Sequence, residues 1–179
     1  MFYIWPYKLG SESAKKLSQQ LMTKRISGQK RVRSYSTIIN WGNGGSYPTD
    51  QRSLKVLNPA NAVNIARNKL STFQRLYAAG VSIPEFTTDR TVASSWRNED
   101  TVVYARHNLE GHSGRGIEIV TAEKNMPYAP LFTKGVPCAH EYRVHVGSGR
   151  IIDFAKKRRR DGGNANEYIK NFDNGWVLS

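Results

Sequence analysis

Apolar and polar residues alternate along the first 45 residues in a pattern that predicts two strands separated by a helix. Phe2 to Trp5 is typical of a short strand, and Thr37 to Trp41 is typical of a buried one. Between them, Ser11 or Ser13 can cap a helix that continues to about Met22. A β-α-β order of this kind predicts a small parallel sheet.

The middle of the chain predicts a long helix, and the remainder predicts strands. From Ala60 to about Ala79, apolar residues recur every three or four positions, and Gly80 suits the position just beyond a helix. Gly147-Ser148-Gly149 predicts a hairpin. We therefore expect an α/β or α+β fold, with a small parallel domain followed by a mixed or antiparallel sheet. The later predicted strands cover residues 101–106, 116–120, 130–134, 139–146, 151–157 and 167–178.

The charge balance favours anionic partners. The chain carries 27 Lys and Arg residues against 14 Asp and Glu residues, a formal net charge of +13. This excess predicts binding of nucleotides, nucleic acids or acidic peptides. One basic cluster lies within residues 24–33, and Lys156 to Arg160 form an unbroken basic run. Such runs are either solvated surface or contacts for phosphate groups.

Composition also excludes several classes of protein. A single cysteine, Cys138, excludes an internal disulfide framework and favours a reducing compartment, so we expect a cytoplasmic protein. The four histidines show no metal-ligand spacing, which predicts no zinc site. No apolar run approaches the roughly 20 residues of a membrane span, and residues 1–6 lack the features of a signal peptide.

A glycine-rich loop, Gly111 to Gly116, lies between two predicted strands. Glycine permits close approach of the backbone and positive φ, so the N–H groups of such a loop can cover a phosphate chain. A Rossmann or Walker loop would lead into a helix instead. The alternative is a glycine-rich hairpin without a ligand, and the loop alone does not decide between them.

Four segments, taken in order, resemble the ATP-grasp superfamily: Asn68 to Pro84, Val103 to Arg106, Gly111 to Ile117, and Glu141 to Val146. Tyr3 to Lys8 and Ile39 to Gly42 look more narrowly like the ATP-grasp proteins of tailed bacteriophages. The resemblance implies an N-terminal α/β domain over residues 1–60 and a partial ATP-grasp nucleotide-binding region over residues 61–179.

The resemblance also implies a reaction. ATP-grasp ligases transfer the γ-phosphoryl group of ATP to a carboxylate, and an amine or thiol then attacks the acyl phosphate. The expected cofactors are ATP and magnesium, and catalysis rests mainly on positioning and charge neutralisation. For a phage protein the expected location is the cytoplasm of the host cell.

The same resemblance implies candidate residues for binding the phosphates. Lys69 and Arg106 correspond to the two phosphate-side cations of the family, although arginine presents a planar fork in place of an ammonium group. Ser113, Gly114 and Gly116 correspond to the flap over the β- and γ-phosphates. The alternative for Lys69 and Arg106 is an ordinary surface position.

The later strands supply the remaining candidates. Arg143 corresponds to a ligand of the γ-phosphate or of the substrate carboxylate, and Lys156 or Lys157 corresponds to the basic residue ending the next strand. Of these two lysines we take Lys156 as the catalytic candidate. Glu141, Arg143 and His145 share one face of their strand. The remaining nucleotide-binding positions are Phe132, Lys134 and Asn171. An ordinary core strand is the alternative for the segment Leu131 to Lys134.

One departure from the family pattern concerns the metal. In the family, an aspartate and a Glu-x-Asn pair beyond the equivalent of Ser179 hold magnesium, so we expect no metal ligand in this chain. The chain is then expected to be part of a split enzyme, a truncated form or a degenerate derivative. The expected partner is a C-terminal ATP-grasp chain. The alternatives are a non-catalytic module that binds nucleic acid or another anionic partner, and a structural phage protein.

Overall fold

The computed structural model describes residues 1–28, 32–45, 54–97, 101–111, 114–162 and 164–179. The chain divides into two compact units, Met1–Thr72 and Phe73–Ser179. Within the described ranges, no helix is long and apolar enough to cross a lipid bilayer.

The first unit is built on a parallel four-stranded sheet. The strand order is β2-β1-β3-β4, and each neighbouring pair is parallel, as the β-α-β pattern predicts. The elements are β1 (Phe2–Pro6), α1 (Glu12–Gln20), β2 (Lys24–Arg25), β3 (Thr37–Trp41), β4 (Lys55–Leu57) and α2 (Ala60–Arg67).

The core of this unit lies on the central strands. Ile4 and Ile38 are fully buried, and Trp5 and Val32 join the same apolar core. Burying such side chains is the main stabilising contribution, about 1.5–3 kcal/mol each. Helix α1 begins where the Ser11 hydroxyl accepts a hydrogen bond from the Ala14 N–H at 3.3 Å, so Ser11 is the cap.

The long helix predicted from Ala60 to Ala79 is in fact two helices. Helix α2 ends at Arg67 and α3 spans Lys69–Ala78, with Asn68 between them in an extended conformation (ψ 116°). The Asn68 side chain accepts a hydrogen bond from the Ser71 N–H at 3.0 Å and so caps α3. An asparagine that bonds the backbone in this way competes with continuous helix, which apolar periodicity does not register.

The second unit contains two antiparallel sheets. One has the order β5-β8-β6-β7 and the other the order β11-β10-β9. The elements are β5 (Phe86–Thr87), α4 (Arg90–Ser95), β6 (Val103–Arg106), β7 (Ile117–Val120), β8 (Leu131–Lys134), β9 (Tyr142–Gly147), β10 (Arg150–Arg159), a 3₁₀ turn (Phe172–Asn174) and β11 (Trp176–Leu178).

The sheet containing β6 carries the core of the second unit. Val103, Ala105, Val120 and Phe132 are fully buried there. In the other sheet, β9 and β10 are connected by the predicted hairpin at residues 147–149. The strand predicted over residues 167–178 is only partly formed, since Asn171 begins the 3₁₀ turn and Gly175 (φ +83°) reverses the chain before β11.

Candidate functional site

The second unit contains a cavity of about 710 Å³, a size typical of ligand sites. Its walls come from β6, β7, the end of the glycine loop, β9, β10 and residues 168–178. The basic side chains in its lining are Arg106, Arg143, Lys157 and Lys170, and the acidic one is Glu141. The cavity therefore gathers positive charge.

Strand register decides which β10 lysine lines this cavity. Arg143 lies opposite Ala155, and Tyr142 lies opposite Lys156. Because side chains alternate between faces, Arg143 and Lys157 share one face, and Lys156 lies with Tyr142 on the other. Lys157 lines the cavity and Lys156 does not.

Lys157 is held in place by two acceptors. Its ammonium group forms an ion pair with the Glu141 carboxylate and donates to the Lys170 carbonyl oxygen at 2.7 Å. Arg143, by contrast, is exposed, and the described residues provide it with no ion pair. Arg143 is therefore able to take an incoming anion without losing an internal partner.

Arg106 and Tyr104 stand on the same face of β6, two residues apart, and both line the cavity. The Arg106 Nε–H donates to the Thr133 hydroxyl at 3.3 Å. Burial lowers the pKa of the Arg106 guanidinium. Burial, followed by the nearby Cys138, raises the pKa of Tyr104. The described residues provide Arg106 with no carboxylate, and a partly desolvated guanidinium in that position gains from a bound anion.

The end of the glycine loop is folded tightly. Gly114 and Gly116 both have positive φ, +74° and +73°. The Ile117 N–H donates to the Gly114 carbonyl at 3.2 Å, and the His107 N–H donates to the Gly116 carbonyl at 2.8 Å. A Cβ on Gly114 would lie 2.5 Å from the Ile169 Cγ2. Glycine is required here by conformation and by packing, whether or not a phosphate is bound.

The other predicted loop and turn residues have different placements. Ser113 lies outside the described residues. Asn171 lines the cavity, and its Oδ1 accepts the Asn174 N–H at 2.9 Å to cap the 3₁₀ turn. The local role of Asn171 is thus clear, and its contact with a ligand remains a prediction.

A second cavity of about 390 Å³ adjoins the first. Lys134 lines it, with its ammonium group 2.6 Å from the Glu85 carboxylate. Phe132 is fully buried in the core and lines neither cavity. The residues common to both linings are Tyr104, Arg106, Glu141, Tyr168 and Lys170.

Lys69 is the first residue of α3 and belongs to the first unit. Its predicted contact with a phosphate remains a prediction.

The residues present do not fit a magnesium site. Among the described residues, the lining of the larger cavity has one carboxylate, Glu141, and that group is paired with Lys157. Across the described part of the chain, no group of three or more His, Cys, Asp or Glu residues could hold a metal ion. Magnesium prefers several oxygen ligands in octahedral geometry, which this lining does not offer.

Sequence reasoning missed several residues of the cavity. Lys170, Phe172 and Trp176 lie in the segment predicted as a strand over residues 167–178, and no motif marked them as lining residues. Tyr104 could have been predicted as a lining residue, because it lies two residues before Arg106 on one strand and therefore on the same face.

Comparison with solved structures identifies the fold. The chain is similar to a D-alanine–D-alanine ligase from Bacillus anthracis, with a TM-score of 0.62, 11% identity, and coverage of 99% of this chain and 70% of that chain. A RimK domain protein ATP-grasp from Sphaerobacter thermophilus gives a TM-score of 0.54 and 12% identity, covering 87% of this chain and 72% of that one.

A D-alanyl-alanine synthetase A from Vibrio cholerae matches with a TM-score of 0.52 and 11% identity, over 90% of this chain and 67% of its own. No protein-family model and no curated protein matches the chain. These structural neighbours are ATP-grasp ligases, and the predicted fold class, with a partial ATP-grasp fold, is confirmed.

Proposed function

We propose that the second unit binds ATP in the 710 Å³ cavity, as the nucleotide-binding part of an ATP-grasp carboxylate–amine or carboxylate–thiol ligase. The observation that carries the proposal is the convergence of four basic side chains on one cavity, beside Gly114, within a partial ATP-grasp fold. A triphosphate carries several negative charges, and the one carboxylate among the described lining residues is already paired with Lys157.

The contacts of each basic residue indicate which part of the ligand it would bind. Arg106 and Lys157 are tethered to Thr133 and Glu141, so they offer fixed positive charge for the phosphate chain. Arg143 is exposed and can reach the γ-phosphate or the carboxylate that attacks it. Fixed charges of this kind stabilise the transferring phosphoryl group without reorganisation at the moment of reaction.

In the proposed reaction, a carboxylate oxygen attacks the γ-phosphorus and the bond to the β-phosphate oxygen breaks, leaving ADP. The acyl phosphate then loses inorganic phosphate when an amine or thiol attacks its carbonyl carbon. Magnesium supplies charge neutralisation in such ligases, and we expect its ligands to come from the C-terminal ATP-grasp partner chain. The phage resemblance would put this activity in the cytoplasm of a bacterial host.

Calorimetric titration of ATP tests the binding, with Arg143→Ala as the probe and Arg150→Ala as the control. Both arginines lie on the β9–β10 hairpin, and only Arg143 lines the cavity. We expect Arg143→Ala to weaken ATP binding about tenfold or more, since charged hydrogen bonds contribute roughly 1.5–3 kcal/mol. Arg150→Ala should bind ATP as the parent does.

Absence of heat at millimolar ATP, with or without Mg²⁺, would rule out the proposal for this chain. An equal loss of ATP affinity in both arginine variants would mean that net positive charge, and no specific contact of Arg143, attracts ATP. The non-catalytic alternative expected from the composition predicts no ATP binding together with retained binding of nucleic acid, so the same titration separates the two.

A further inference from the structure

Cationic and aromatic side chains are interleaved on the surface formed by the end of β10 and the segment that leads into β11. We call this the aromatic–basic surface, and it consists of Arg159, Arg160, Tyr168, Lys170, Phe172 and Trp176. Its rings and Lys170 also line the nucleotide cavity, and it extends beyond that cavity because Arg159 and Arg160 do not line it.

Three of its contacts hold a cation over a ring. The Arg160 guanidinium lies 5.3 Å from the Phe172 ring centroid. Arg159 and Lys170 lie 5.9 Å and 5.2 Å from the Trp176 ring centroid. Such contacts orient the cations without neutralising their charge.

The rings are accessible to a partner. Phe172 is 66% exposed and Tyr168 is 44% exposed, although both are large apolar side chains. An exposed phenylalanine beside a basic run is costly in water and gains from a flat apolar partner.

Acidic neighbours weaken the surface charge only slightly. Arg159 pairs with Glu167 at 3.4 Å. Both side chains of this pair are more than half exposed, so the pair contributes little and a phosphate can replace the carboxylate. For Arg160, the described residues provide a ring contact and no carboxylate.

We propose that the aromatic–basic surface binds single-stranded nucleic acid. The arginines would contact backbone phosphates, and Phe172 and Tyr168 would stack on unpaired bases. A single strand is favoured over a duplex because paired bases hide the faces on which rings stack. An acidic peptide would use the cations and leave the rings without a partner. This inference does not depend on ATP binding.

Fluorescence anisotropy with a labelled single-stranded oligonucleotide, and with the same sequence as a duplex, tests the proposal over a range of salt concentrations. We expect tighter binding of the single strand. The Arg159→Ala/Arg160→Ala double variant should flatten the salt slope by about 1.4, since each phosphate contact contributes about 0.7 on single strands. Its ATP affinity should be unchanged, because neither residue lines the cavity.

The matched control is Lys15→Ala/Lys16→Ala, two exposed adjacent lysines on α1 in the first unit. It removes the same charge, and we expect the parental salt slope. A slope flattened equally by both double variants would show that net charge alone attracts the strand, and the proposed surface would be wrong.

Phe172→Leu tests stacking, because it keeps an apolar side chain and removes the ring. We expect single-strand affinity to fall roughly fivefold or more at constant salt slope, since stacking contributes about 1–3 kcal/mol per base. Tyr168→Leu is the second variant if the first melts below the assay temperature. Unchanged affinity in a folded leucine variant, or equal affinity for duplex and single strand, would overturn the proposal.

Discussion

The Glu141 carboxylate pairs with the Lys157 ammonium inside a cavity whose other charged groups, among the described lining residues, are cations. The Lys157 side chain is 19% exposed and that of Glu141 is 39% exposed, so solvent screens part of their attraction. A triphosphate in the cavity would have to compete with this carboxylate for Lys157. At the residue scale, we therefore expect Glu141 to limit the affinity for anions while it holds Lys157 in place.

Glu141→Gln should tighten ATP binding up to about fivefold, because a partly exposed pair of this kind contributes up to about 1 kcal/mol. The glutamine keeps the shape of the side chain and removes its charge. Calorimetry at low salt measures the change, and Glu118→Gln, on β7 beside His107, is the control for loss of an acidic residue. Weaker ATP binding in Glu141→Gln would mean that the carboxylate itself contacts the ligand.

At the scale of elements, Gly114 at the end of the glycine loop packs against the segment that follows β10. Ile169 and Asn171 lie close to the position that a Gly114 Cβ would occupy, at 2.5 Å and 3.4 Å. The sequence permits either a phosphate flap or a hairpin here. A bulky substitution at Gly114 does not separate the two, because the clash with Ile169 disturbs the fold under both interpretations.

Gly114→Ala should lower stability more than Gly149→Ala does. Both glycines have φ near +73°, and the Gly149 Cβ position has no neighbour within 4 Å. The control therefore measures the conformational cost, about 1–2 kcal/mol, and the excess measures the clash with Ile169. Chemical denaturation gives both values.

Adding Ile169→Ala to Gly114→Ala should recover part of that excess, as expected for residues in contact. Strict additivity of the two substitutions would contradict the packing. ATP titration of the double variant then reports on the loop with the clash removed.

At the scale of the whole molecule, the net charge of +13 works against compactness through self-repulsion. Salt relieves repulsion anywhere on the surface, whereas a bound polyanion acts at a site. Binding at a site stabilises the fold at lower anion concentration than general screening does. An inorganic polyanion can therefore report anion binding in the cavity without the full substrate.

Millimolar tripolyphosphate should raise the melting temperature by several degrees more than sodium chloride at equal ionic strength. A ligand at about 100 times its dissociation constant stabilises the folded state by about 2.7 kcal/mol, and each kcal/mol shifts a chain of this size by about 2–4 °C. Differential scanning fluorimetry measures the shift, and Arg143→Ala should reduce the difference. Identical shifts for the two salts would leave screening as the only effect.

Much of the fold followed from local signals, and much less of the cavity did. Alternation, caps and glycine turns predict β1, β3, α1 and the β9–β10 hairpin, because each depends on neighbours within a few residues. The break at Asn68 was missed, since a side chain bonded to the backbone outweighed apolar periodicity there.

The sequence by itself determined the fold class, the basic character and the face that Arg143 shares with Glu141, because side chains alternate along any strand. Only the tertiary structure decided that Lys157, rather than Lys156, joins that face inside the cavity. A slip of one residue in register reverses every side chain, and register depends on pairing between distant segments. The same long-range packing brings Lys170 to the cavity, although no local sequence pattern predicts that position.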